Sequence, residues 1–141
     1  MRRIALVACL LAVAGAAACG GPSDTERARQ AAETYVARLG KRDGAGACNQ
    51  MTSGLQRQFL QAVVRRDATF RRRSCRQIMQ AALDAIPDSQ LRRFATARIT
   101  DVKLDGDRGT FRYAIGTIRV SGRVAKEDGD WKVSCCVPAA G

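Results

Sequence analysis

Histidine is absent from all 141 residues, although the chain carries 24 lysines and arginines. Its absence removes the usual neutral-pH general base and the commonest metal ligand. Aromatic residues make up only 5%, so a core must be built from Ala, Val, Leu and Ile. Lysine is scarce as well: Lys41, Lys103, Lys126 and Lys132 are the only four, and arginine supplies the rest of the positive charge. No C-x-x-C pair, phosphate-binding glycine loop, nucleophile motif or paired-carboxylate signature occurs. The opening apolar run, Ile4 to Ala14, is too short to span a bilayer. What remains is 46% hydrophobic and 26% charged, with a formal charge of +11. That is the balance of one folded domain of ordinary size.

The opening run has a different use. Met1-Arg2-Arg3, the apolar stretch and Ala16-Ala17-Ala18 before Cys19-Gly20-Gly21-Pro22-Ser23 resemble a bacterial lipoprotein signal. Ala16 stands where such signals more often carry Leu, and the three alanines also satisfy the rule for ordinary secretion. Both readings cut before Cys19 and export the chain. The expected organisation is a signal peptide over residues 1–18, a lipidated tether over 19–24 and a single domain over 25–138. Cys19 would be acylated and would partner membrane lipid on the outer face of the cytoplasmic membrane, with plain secretion as the second reading. Export argues against nucleic acid as a partner. Of the six cysteines, Cys9 leaves with the signal, and Cys48, Cys75, Cys135 and Cys136 remain in an oxidising compartment, where three pairings are open. With neither histidine nor C-x-x-C, neither a metal nor another cofactor is expected.

Period 3.6 governs the first half. Ser23 and Glu26 fit a capping box, and Ala28, Ala31, Ala32, Tyr35, Val36 and Leu39 follow at helical spacing, so a helix is expected from Thr25 to Leu39 with Gly40 as its C-terminal cap. Asp43 would cap a short second helix carrying Ala47, Cys48 and Met51. Ser53 would cap a third, with Leu55, Phe59, Leu60 and Val63 inward. A fourth would run from Arg73 to Ile86 over Cys75, Ile78, Met79, Ala82, Leu83 and Ile86, stopped by Pro87. A further short turn of helix would start at Asp88. From Arg98 the period becomes two, in four segments broken by Asp105-Gly106-Asp107, Gly116-Thr117 and Asp128-Gly129. Alternation places Phe111, Tyr113, Val120, Val124, Trp131, Val133 and Cys135 on one face. Arg112, Arg119, Arg123 and Lys132 fall on the other, which should be wet and basic.

Helices followed by a meander ending in Glu127-Asp128-Gly129-Asp130-Trp131-Lys132-Val133, with Tyr35 in the first helix and cysteines at Ala47-Cys48 and Ser74-Cys75, resemble small actinobacterial secreted or lipid-anchored proteins of the nuclear-transport-factor-2-like superfamily. The resemblance implies an α+β cone, in which N-terminal helices pack on a curved antiparallel sheet of about four strands around a pocket. It also implies mixed functions, which fold alone does not separate. It favours a Cys48–Cys75 disulfide, because such proteins often carry a cysteine on each of these helices, and it admits a homodimer through an open sheet face. Cys135 and Cys136 are then candidates for a second disulfide or for free thiols. The remaining alternative joins Cys135 to a helix cysteine.

Two constellations bear on function. Arg65, Arg66, Arg71, Arg72, Arg73 and Arg76 fall within twelve residues, a density that suits either a solvated helix end or a patch for anionic headgroups or wall polymer. The resemblance also supplies an enzyme reading. Isomerases of the superfamily pair an Asp base with a Tyr or Asp donor, for which Tyr35, Tyr113, Asp84, Asp88 and Asp101 are the candidates here. Both tyrosines lie on apolar faces, where core packing is the plainer role, so no catalytic residue is assigned. The expected function is a membrane-anchored envelope module that binds a small apolar ligand or an envelope protein, or serves as a scaffold. A Tyr/Asp isomerase and an arginine-patch adaptor are the alternatives.

Overall fold

A computed structural model describes residues 20–135; residues 1–19, with Cys9 and Cys19, and residues 136–141, with Cys136, lie outside the described part. Five α-helices precede four strands: α1 (Asp24–Gly40), α2 (Gly44–Asn49), α3 (Ser53–Arg66), α4 (Cys75–Asp84), α5 (Asp88–Ala95), β1 (Arg98–Asp105), β2 (Arg108–Ile115), β3 (Ile118–Glu127) and β4 (Asp130–Cys135). A 3-10 turn, Ala68–Arg72, links α3 to α4. The strands form one antiparallel meander in the order β1-β2-β3-β4. The molecule is thus α+β, as the change of period predicts.

Short-range chemistry sets the helix limits. Ser23 accepts from the Glu26 amide, Asp43 from Gly46, Thr52 from Leu55 and Ser74 from Gln77. Two starts differ from the expectation. Thr52, not Ser53, caps α3, because Ser53 instead gives its amide and hydroxyl to Glu127 on β3. α4 begins at Cys75 after a full capping box, and the arginines before it belong to the 3-10 turn and the link after that turn. Gly40 does not take the left-handed cap; Arg42 does, at φ 55°, and it donates to the carbonyls of Leu83 and Ile86 and to Asp88. Gly40 serves close approach: a Cβ there would lie 2.9 Å from the Ala95 amide of α5.

Hairpin register follows the alternation. Ile99 pairs with Tyr113, Tyr113 with Val120, and Val124 with Val133, all on the face that meets the helices. Gly122 opposes Phe111 and leaves room for its ring, since a Cβ there would sit 2.2 Å from the ring edge. Asp128 and Gly129 both take positive φ, the requirement of a two-residue type I′ turn. Beyond β4 the chain at Met51 adds a parallel bridge to Val133, with the Thr52 amide donating to the Val133 carbonyl and the Val133 amide to the Gln50 carbonyl, both at 2.8 Å.

One continuous cluster fills the space between the helices and the inner face of the sheet. Ala28, Ala32, Tyr35 and Val36 of α1 meet Phe111, Tyr113, Val124, Trp131 and Val133, with Met79 and Leu83 of α4 and Leu91 of α5 behind them. Trp131 is tied at its rim as well: its Nε1 donates to Asp24 at 3.1 Å, and Lys126 stands over its ring. The expected inner face of α4 holds at Cys75, Ile78, Met79 and Leu83, whereas Ala82 is exposed. Of the expected α3 face only Leu55 is fully buried.

Candidate functional site

α3 and the 3-10 turn form an arm that leaves the body at Met51 and rejoins it at Cys75. Both ends are fixed. The Cys48–Cys75 disulfide closes the base, and Ser53 is held to Glu127. The favoured pairing is therefore present, and the alternative joining Cys135 to a helix cysteine does not form. Fourteen residues of α3 bury only Leu55, and the 3-10 turn buries none. Phe59, Leu60, Val63, Val64 and Phe70 stay half-buried.

The arginine cluster lies on this arm. Arg65 and Arg66 end α3, Arg71 and Arg72 end the turn, Arg73 follows, and Arg76 stands in the first turn of α4. All six are exposed. The local acid, Asp67, is turned away from them. It accepts from the amide and hydroxyl of Thr69, and those bonds hold its carboxyl below the usual range. Among the described residues no carboxylate lies within ion-pair distance of the six. Arg76 donates to Asn49 at 3.0 Å. Asn49 in turn lines an open groove of about 360 Å³ together with Arg27 and Thr34 of α1 and Trp131 of β4.

The outer face of the sheet is the second cationic surface. Arg112, Arg119 and Arg123 are exposed there, as the alternation predicts, and Lys132 is half-buried against Glu127 at 3.3 Å. Two residues that sequence reasoning missed join them. Arg108 opens β2 directly after the Gly106-Asp107 turn and shares the parity of Arg112; the turn could have revealed it. Arg57, on the first turns of α3, reaches the same surface only through the fold. Arg57, Arg108 and Arg123 line a groove of about 560 Å³. Cys135 lines it too. A register shift puts Cys135 opposite Arg123, so the expectation that it faces the core with Trp131 and Val133 fails. The extra residue is Ser134, and one inserted residue reverses the parity of the next position along the strand.

The Tyr/Asp candidates are not assembled into a site. Tyr35 and Tyr113 are buried in the core. The Tyr113 hydroxyl has no hydrogen-bond partner among the described residues. Burial, with Tyr35 nearby as a lesser cause, pushes its pKa up to about 12. The three aspartates are engaged elsewhere: Asp84 accepts from Gln80, Asp88 from Arg42, and Asp101 lies 3.9 Å from Lys103 on the outer face. Asp24 and Glu127 hold structural posts. The Trp131 indole is the chief cause lowering Asp24, and the Ser53 hydroxyl the chief cause lowering Glu127. Among the described residues no group of three or more Cys, Asp or Glu converges as a metal site, and no helix is long and apolar enough to cross a membrane. Comparison with protein-family models, curated proteins and solved structures returned no match.

Proposed function

We propose that this chain is a non-catalytic binding module of the cell envelope, tethered through acylated Cys19 and pressed against anionic lipid headgroups by its arginine arm. The observation that carries the reading is the arm itself. Among the described residues no carboxylate is within ion-pair distance of the six exposed arginines, and half-buried Val63, Val64 and Phe70 lie beside them along the chain, a pairing of cations with apolar side chains that suits an interfacial surface. The filled interior weighs against a deep ligand pocket, and the lone Tyr113 hydroxyl weighs against a Tyr/Asp isomerase. Helices packed on a four-strand meander whose last strand opens with Asp130-Trp131 support placing the fold with the nuclear-transport-factor-2-like cones. A Cys48–Cys75 disulfide accords with an exported chain.

Co-sedimentation with phosphatidylglycerol vesicles tests the reading. Each basic residue near an anionic surface contributes about 1 kcal/mol, so Arg71→Gln, Arg72→Gln and Arg73→Gln together should weaken binding roughly a hundredfold. High salt should do the same to the unaltered protein. Unchanged sedimentation in both arms removes the adaptor role. Intact-mass measurement of membrane-extracted protein reports acylation at Cys19 separately.

A further inference from the structure

The outer face of β2 and β3 carries a regular row of arginines that the arm does not explain. Register places Arg123 opposite Thr110, and Arg119 opposite Ala114. Arg108, Arg123, Arg112 and Arg119 thus occupy four successive same-face levels of the β2–β3 ladder, on alternating strands. Two residues of strand separate neighbouring levels, so the guanidinium stems repeat about every 7 Å along a row about 20 Å long and one strand pair wide.

The register avoids the costliest arrangement, since each arginine faces Ala, Thr or Ser across the β2–β3 ladder, but successive arginines remain diagonal neighbours of like charge. Outside the row and the arm's cluster several cations are matched: Arg38 with Asp43, Arg42 with Asp88, Lys126 with Asp24 and Lys132 with Glu127. The outer faces of β2 and β3 contain one acid, Glu127 at the end of β3, which is engaged by Ser53 and Lys132 and lines the largest of the hollows along the row. On β1, Asp101 stands opposite Arg112 and Asp105 opposite Arg108 in the register, both beyond ion-pair distance of those arginines, and Asp101 is within 3.9 Å of Lys103. Among the described residues none of the four guanidiniums makes an ion pair or a side-chain hydrogen bond.

Hollows line the row. The groove of about 560 Å³ takes Arg108 and Arg123 at one end, a second of about 330 Å³ shares both, and a third of about 310 Å³ holds Arg112 and Arg119. We infer that this face binds a linear polymer of phosphate groups laid along the row. Guanidinium forks take phosphate oxygens in pairs. A row one strand pair wide suits a chain more than a bilayer plane, and four repeats give a polymer the advantage of simultaneous contacts over a single phosphate.

Titration of the full chain with labelled long-chain inorganic polyphosphate tests this, with orthophosphate and phosphatidylglycerol vesicles as separate arms. Arg112→Gln with Arg123→Gln should weaken polyphosphate binding about tenfold or more. The Arg71, Arg72 and Arg73 glutamine variant should change it by less than about threefold. Orthophosphate at equal phosphate concentration should compete poorly. The thermal midpoint of the double variant should hold or rise, because a repulsion is relieved. If that midpoint falls, Arg119→Gln alone, at the exposed end of the row, decides by an expected loss of about threefold. The inference is overturned if the row variants bind polyphosphate like the unaltered protein. It is equally overturned if the arm variant loses as much, if orthophosphate competes as well as the polymer, or if the row variants lose vesicle binding instead.

Discussion

Two regions of this chain were built to different standards. The body, where α1, α2, α4 and α5 meet the sheet, is tightly packed: the ten residues of α4 alone bury four side chains. The arm of α3 and the 3-10 turn is longer and buries one, Leu55. The body pairs several of its charges and leaves a row of four arginines on the outer sheet face, whereas the cluster of six exposed arginines on the arm and the adjoining start of α4 makes no ion pair among the described residues. Burial holds the body in one arrangement. The arm is held by its two ends and by little between them, so its backbone should open locally at far lower free energy than the body. The body carries its arginine row on the sheet face away from the core, whereas the arm presents its cations over little buried interior. A disulfide joins the two at the base of the arm.

The largest test of this contrast removes Trp131, the rim of the body. Trp131→Ala should cost about 3–5 kcal/mol by chemical denaturation, whereas Val64→Ala on the arm should cost less than about 1 kcal/mol. Equal costs would erase the distinction. Next comes the base. Replacing Cys48 and Cys75 together by Ser should cost about 3 kcal/mol for a closed loop of 27 residues, and hydrogen exchange should quicken first between Ser53 and Ser74. Gly122→Ala drives a methyl towards the Phe111 ring and should cost about 1–3 kcal/mol, seen as a lowered thermal midpoint.

Smaller effects are sharper diagnostics. Tyr113→Phe removes a buried hydroxyl that has no partner among the described residues, so stability should hold or rise by about 1 kcal/mol. A large loss would expose a hidden partner for that oxygen. The same residue sets an alkaline limit. Its ordinary value of 10.0 governs the unfolded chain and about 12 the native one. Its stabilising contribution is therefore complete below pH 10 and disappears as pH rises towards 12. Phenolate absorbance should show Tyr113 ionising only in that range. Acid acts through the lowered carboxyls. Glu127 and Asp24, with ordinary values of 4.5 and 3.8, contribute above those values and lose their contribution as pH falls below them. Glu127→Gln should flatten the upper part of that acid decline.

Much of the body was legible in the sequence, because its signals are local or strictly periodic. The α1 stripe from Ala28 to Leu39 and the alternation around Phe111, Tyr113 and Val124 needed only counting. The Asp128-Gly129 turn announced its hairpin. What escaped came from across the fold. Thr52 replaced Ser53 as a cap because Glu127, 74 residues away, claimed Ser53. Cys135 turned to the outer face because Ser134 interrupts the register, and no local pattern marks that insertion. Arg57 met the sheet arginines only once α3 was seated. The arm was the hardest element to read: Leu55, Phe59, Leu60 and Val63 have the spacing of a buried face, but only Leu55 is fully buried, while Phe59 and Leu60 rest half-buried against the edge of the core. Periodicity reports that a face exists, not how deeply it is covered.

The bridge between Met51 and Val133 has a consequence for self-assembly. A strand arriving beside β4 would have to displace Gln50 to Thr52, which already hold both backbone groups of Val133. Lateral stacking therefore cannot proceed from both margins. Two copies meeting through β1 would complete each other and stop, so this small sheet resists growth into filaments even at high protein concentration.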